Sequence, residues 1–173
     1  MCGLVGIFGN IFHQEKRMFS LMHHFDCVRG VDGAGIFALS NKGESLIKVD
    51  SVPDDLYYLY NDFFDNYQKS EFPIWGDHGA RLLMGHNRKA TMGRVHADNA
   101  HPFDFSRICG AHNGGMNEFQ KNKLPNAKDF QVDSQAFYNT LNTILTKGKA
   151  EKFKSFDDLV QEIDGAFALT MGS

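Results

Sequence analysis

The sequence predicts an α+β fold with helices packed outside sheets. Short apolar runs bounded by glycine or polar residues recur at 3–8, 36–39, 81–85, 108–112 and 166–171, the pattern of buried strands. Between them lie segments whose apolar residues repeat at helical spacing. Strands cluster early and helices come in pairs, a distribution that fits α+β architecture without fixing its topology. The 173 residues form one domain, 1–173, of 42% hydrophobic and 13% aromatic content, which excludes a disordered chain.

The first strand, 3–8, is read from "GLVGIF". A helix is expected over 14–28, with Met18, Leu21, Met22 and Phe25 on its inner side and His23 and His24 facing solvent or capping a carbonyl. The glycine-dense turn "RGVDGAG" leads into strand 36–39. A second helix is expected over 54–67, carrying Leu56, Leu59, Tyr60, Phe63, Phe64 and Tyr67 on one side. Strands 81–85 and 108–112 each run into a polar loop. Helix 133–145 has Asp133 as a cap and Phe137, Leu141, Ile144 and Leu145 inside. Helix 155–163 opens on Ser155 with Asp158, a capping box with Asp in place of Glu, and buries Phe156, Leu159, Val160 and Ile163.

A formal charge of −3 and the lack of a basic, aromatic-interleaved stripe argue against nucleic acid or an anionic membrane as partner. Cys2, Cys27 and Cys109 form neither a disulfide framework nor a paired-cysteine zinc motif. The eight histidines are scattered without HExxH spacing, so hydrogen-bonded or exposed roles are favoured over a metal site. The start has no charged n-region and long apolar segment, and no run is long enough to span a bilayer, so a reducing, cytoplasmic setting is expected.

Chemistry-bearing residues sit at strand ends and turns. Cys2 is either a buried thiol behind a retained methionine or, once Met1 is trimmed, a thiol with its own free α-amine. Such an amine has a pKa of about 7.7–8.0 and can take the thiol proton at neutral pH. In "GHNRKATMG", Arg88 can grip a carboxylate through two parallel hydrogen bonds and Thr91 adds a hydroxyl; a solvated basic turn is the plainer reading. In "AHNGG", the Asn113 amide and the Gly114 N–H can form an oxyanion hole, although Asn-Gly is also the commonest hairpin turn. Asp133 is either a helix cap or the acceptor of a substrate ammonium. Together, Arg88 and Asp133 would recognise the α-amino-acid end of a substrate.

In order, "MCGLVGIFG", "RGVDGAG", "GHNRKATMG", "NAHPF", "HNGG" and "VDS" resemble the successive signatures of class II glutamine amidotransferases. These are the N-terminal-nucleophile glutaminase domains of glucosamine-6-phosphate synthase, amidophosphoribosyltransferase and asparagine synthetase. The wording is most like the glucosamine-synthase branch. The resemblance implies an αββα sandwich of two mostly antiparallel sheets flanked by helices. It also implies hydrolysis of glutamine to glutamate and ammonia, with no metal or organic cofactor.

Residue by residue, the resemblance makes Cys2 the nucleophile and its α-amine the base, with Asn113 and Gly114 as the oxyanion hole. Arg88 and Thr91 would hold the glutamine carboxylate and Asp133 its amine. His101 would lie near the pocket, and Arg29 and Asp32 would support the nucleophile strand. On that resemblance the thiolate would attack the side-chain amide, the new ammonium of Cys2 would protonate the departing ammonia, and water would hydrolyse the thioester.

Lys89 stands where the glucosamine synthases carry Trp, and Met92 where they carry His, so the flap over glutamine is expected to be built differently. The family continues beyond "GAFALTMGS" with further strands and a synthetase or transferase domain, so a truncated C-terminus and a separate ammonia acceptor are expected. Two alternatives stand beside the glutaminase reading: hydrolysis of another γ-glutamyl amide, and a catalytically degenerate binding or regulatory domain.

Overall fold

In the computed structural model the residues described are 2–41, 43–51, 80–163 and 167–172. The helix expected over 54–67 lies outside them. Strand β1 (Gly3–Ile11) is followed by helix α1 (His13–Asp26), then by the hairpin of β2 (Ala34–Ser40) and β3 (Gly43–Val49). Strand β4 (Ala80–Asn87) precedes the short hairpin of β5 (Phe103–Phe105) and β6 (Ile108–Gly114). A single-turn helix, α2 (Glu118–Lys121), leads to α3 (Asp133–Lys147), α4 (Phe156–Glu162) and β7 (Phe167–Gly172). Among the described residues the strands form one sheet in the order β1-β4-β2-β3 and another in the order β5-β6-β7, with every pairing antiparallel.

The layering follows from the two-residue period of the strands. In β4, Leu83 turns to the α1 side with Val5, Phe19 and Ile36, whereas Leu82 and Met84 turn to the other side. There they meet Phe37 from β2 and Cys109 and Ala111 from β6, which close the space between the sheets. The far face of the second sheet, with Phe103 and Ile108, is covered by Phe137, Leu141 and Ile144 of α3 and Leu159 of α4. The succession is therefore helix, sheet, sheet, helix. Helix α3 can lie close because β6 carries Gly110 where a Cβ would meet the Tyr138 ring at 2.1 Å. The Tyr138 hydroxyl donates to Ala111 O at 2.8 Å.

Helix α1 departs from the expected orientation. Its buried residues are Phe19 and His23, whereas Met18, Leu21 and Phe25 are 50%, 52% and 71% exposed. The reason lies in β4: Gly85 leaves a gap into which the Phe19 and His23 rings fit, and a Cβ there would stand 2.8 Å from Phe19. The helix turns toward that gap rather than toward its most apolar stripe. His23 is thus inside, and of the two histidines only His24 is exposed.

Asp133 is also not a cap. Val132 holds the N-cap position of α3, and Asp133 is its first residue. In α3 the inner face is Phe137, Leu141 and Ile144, with Leu145 49% exposed. Ser155 caps α4 by accepting from the Asp158 N–H at 3.1 Å, while the Asp158 carboxylate accepts from the Lys154 N–H at 2.8 Å. Phe156 at the start of α4 is 37% exposed. Strand β3, unforeseen in the sequence, pairs with β2 from Ala34↔Val49 to Ser40↔Gly43.

Burial lowers the pKa of His23 to about 4 and that of His86, on β4, to about 3. Both rings are neutral in the fold, while in the unfolded chain they take up protons below about pH 6.5. The contribution of these two rings to stability is therefore flat above that pH and falls as the pH drops from 6.5 toward 4, because the unfolded state binds more protons there. Urea midpoints at pH 7.5 and pH 4 are expected to differ, His23 alone contributing roughly 3 kcal/mol. His23→Gln should flatten this pH dependence; an unchanged slope would refute the assignment.

Candidate functional site

The site forms where strand ends meet. Gly3 of β1 stands opposite Asn87 of β4, so the residue before β1 lies beside the residues after β4. Accordingly the Lys89 N–H donates to Cys2 Sγ at 3.2 Å, and the thiol faces Lys89 O at 3.6 Å. From the second sheet, Asn113 near the end of β6 donates through Nδ2 to Cys2 O at 3.0 Å. Cys2 and Asn113, far apart in sequence, are thus in direct contact. Gly114 beside it has a φ of +142°, a conformation that side-chain-bearing residues rarely adopt.

The turn before β2 pins the loop after β4. Asp32 N–H donates to Arg88 O at 2.9 Å, Arg88 N–H to Gly33 O at 2.7 Å, and Ala90 N–H to the Asp32 carboxylate at 2.9 Å. That N–H bond, with help from Lys89, whose Nζ lies 3.4 Å away, holds the Asp32 pKa below the usual carboxylate value. The turn must contain glycine at position 30, because a Cβ there would stand 2.4 Å from the Arg88 carbonyl carbon. Asp32 is therefore the anchor of this loop. Arg29 pairs with Asp26 in its own turn at 3.8 Å.

Arg88 is only 3% exposed. Its guanidinium donates to Arg94 O at 3.0 Å, Met92 O at 2.6 Å and Gly93 O at 3.5 Å, shaping the loop that follows. These bonds do not exhaust the five N–H groups of a guanidinium. Burial lowers the Arg88 pKa, opposed by Cys2, Asp32 and Asp133. Thr91 is exposed on the same loop, and no hydrogen bond joins it to Cys2 among those described.

Asp133 is buried beside the end of the Asn-Gly-Gly turn. Its Oδ2 accepts from the Met116 N–H at 2.6 Å and its Oδ1 from the Ser134 N–H at 2.9 Å. Ser134 Oγ lies 3.3 Å from the same oxygen and 2.6 Å from His112 Nδ1. Behind this chain, His101 is buried with its ring centroid 4.1 Å from that of His86 and 5.8 Å from that of His112. Burial lowers the pKa of all three rings, furthest for His86 and His101, and Asp133 opposes the shift at His112. Among the described residues, no group of three His, Cys, Asp or Glu could hold a metal ion.

The structure thus brings together Cys2, Asn113, Asp32 and the Arg88 loop, and places Asp133 next to the same turn. It sets Arg29 in its own turn and Thr91 at the loop surface, and it packs His101 against His86 and His112, where burial and also the Arg88 charge lower its pKa. Sequence reasoning passed over the Lys89 backbone, His86, His112 and Ser134. His112 and Ser134 flank Asn113 and Asp133 in "HNGG" and "VDS", and that adjacency was the available signal.

No family model matches the sequence. The glutamine–fructose-6-phosphate aminotransferase (isomerizing) of Gluconobacter oxydans is 27% identical over 179 residues, covering 99% of this chain and 26% of that protein. The corresponding aminotransferase of Brucella abortus is 28% identical over 174 residues, covering 98% of this chain and 26% of its own length. The chain thus spans about a quarter of the relatives it matches. Among solved structures, glutamine phosphoribosylpyrophosphate amidotransferase from B. subtilis, complexed with ADP and GMP, superposes with a TM-score of 0.63 at 20% identity. That match covers 99% of this chain and 35% of the other. A structure described as the allosteric regulatory enzyme of purine biosynthesis gives 0.64 at 22% identity, with 99% and 35% covered. The likeness to these structures establishes the fold, including the sandwich of antiparallel sheets between helices. Along its whole length the chain resembles the class II glutamine amidotransferase domain, as its motifs indicate.

Proposed function

We propose that the chain is a glutaminase domain that hydrolyses the side-chain amide of glutamine to glutamate and ammonia, and that the ammonia passes to a separate acceptor domain or partner chain. The observation that carries this reading is the contact of the Asn113 amide with Cys2, at 3.0 Å from its carbonyl oxygen. It sets a strong hydrogen-bond donor beside a cysteine that becomes the first residue once Met1 is removed.

In this reading the freed α-amine of Cys2 takes the thiol proton, and the thiolate attacks the amide carbon of glutamine. The Lys89 N–H, at 3.2 Å from Sγ, orients the sulfur by donating to it. Charge developing on the amide oxygen is taken up by Asn113 Nδ2, which turns from the Cys2 carbonyl, and by the Gly114 N–H. The protonated amine then passes its proton to the departing ammonia, and water releases glutamate from the thioester. The Arg88 N–H groups not spent on its own loop receive the substrate carboxylate. Thr91 supports them at the loop surface, and Asp133 receives the substrate ammonium. Asp32 holds the Arg88 loop, while Arg29 and His101 act at a distance through the turn and the histidine cluster. A cytoplasmic setting suits an uncapped reactive thiol.

Treatment with a glutamine-analogue diazoketone is expected to add one adduct, on Cys2, to protein that has lost Met1, as read by intact mass. Retained methionine, or labelling that survives Cys2→Ala, would end the proposal. Asn113→Ala is expected to lower kcat about 100-fold or more while changing glutamine KM little, because its bond forms chiefly in the transition state. Equal changes in kcat and KM would refute the oxyanion role.

A further inference from the structure

Asp133 is 8% exposed, and a buried carboxylate is tolerated only when donors meet its oxygens. Two of its donors, the Met116 and Ser134 N–H groups, are fixed by the backbone. The third, the Ser134 hydroxyl, can rotate, and its direction depends on what else it meets. It meets His112 Nδ1 at 2.6 Å. A serine hydroxyl has one proton to give. When that proton goes to Asp133 Oδ1, Oγ must accept from a protonated Nδ1, which a neutral imidazole can provide. The His112 backbone is fixed in turn, since its carbonyl accepts from His86 Nε2 at 3.2 Å. A chain of donors thus runs from β6, at the residue before Asn113, to the first turn of α3.

We infer that Ser134 is a positioning residue for the amine end of the substrate: its hydroxyl, aimed by His112, holds Asp133 Oδ1 so that the carboxylate turns its remaining lone pairs toward the ammonium. This inference rests on the glutamine reading and deepens it. It assigns the His112–Ser134 pair to amine recognition rather than to attack on the amide. The histidine cluster then has a use: it presents a neutral donor to a hydroxyl without adding a second positive charge beside the site of an ammonium.

The test is calorimetric titration of the full chain with L-glutamate and with glutarate, the same diacid without the amine. Ser134→Ala is expected to weaken L-glutamate about tenfold and to leave glutarate within twofold; Ser134→Thr, which restores the hydroxyl, should recover most of the loss. Equal weakening of both ligands in a variant that keeps its circular dichroism spectrum overturns the positioning role. So does a Ser134→Ala protein that binds L-glutamate as tightly as the parent, and so does a Thr variant that recovers nothing. Failure of the parent chain to bind either ligand would instead overturn the glutamine reading, and this inference with it.

Discussion

The site depends on the register between the two strands that begin and end at it. Gly3 of β1 faces Asn87 of β4, and Asn87 also faces Ala34 of β2 on the other side. Strand β4 is therefore held on both edges, and the residues that leave it have little freedom to wander. Because side chains alternate along a strand, a slip of one position would turn Leu82 and Met84 out of the inter-sheet core and carry Cys2 away from Lys89. The apolar packing between layers and the placement of the thiol are thus one requirement. What protects the register is the core, and what the register delivers is the contact between Cys2 and the Arg88 loop.

The charges around that contact are satisfied before any ligand arrives. Arg88 is met by carbonyl oxygens from its own loop, and Asp133 by N–H groups and a hydroxyl. Each would be costly to bury alone. The amino-acid end of the proposed glutamine would bring one positive and one negative group, and so add no net charge to this arrangement. Around Arg88 and Asp133, donors and acceptors fixed in this way would need little reorganisation to receive such a group.

The fold class and the strand positions were legible because buried strands leave apolar runs between glycines, and β1, β2, β4, β6 and β7 all carry that mark. Strand β3 was missed because "GESLIKV" is half exposed and lacks it. The orientation of α1 was misread for a different reason. Its most apolar stripe and its buried face do not coincide, and the decisive feature, Gly85, belongs to another strand. The candidate site residues were legible as motifs, since Cys2, Asn113 and Asp133 each sit at a strand or helix end. Their partners were not, because a bond such as His112 to Ser134 joins positions whose neighbourhood only the packed α3 creates. Asp133 looked like a cap because a carboxylate at a helix start usually accepts an N–H within its own helix. One of its oxygens is taken instead by Met116, from the segment after β6.

The partner of the thiol at position 89 is the peptide group, not the side chain. The Lys89 N–H and carbonyl both face Cys2 Sγ, while the lysine head group lies 54% exposed against Asp32. A peptide contact is indifferent to the identity of the residue that supplies it. Position 89 is thus open to drift or redesign in size, charge and shape without loss of the hydrogen bond to sulfur. Proline is the one exception, since it alone has no N–H to offer. The immediate surroundings of the Cys2 sulfur are in this sense encoded by backbone geometry, and the side chain at position 89 is left free of that duty.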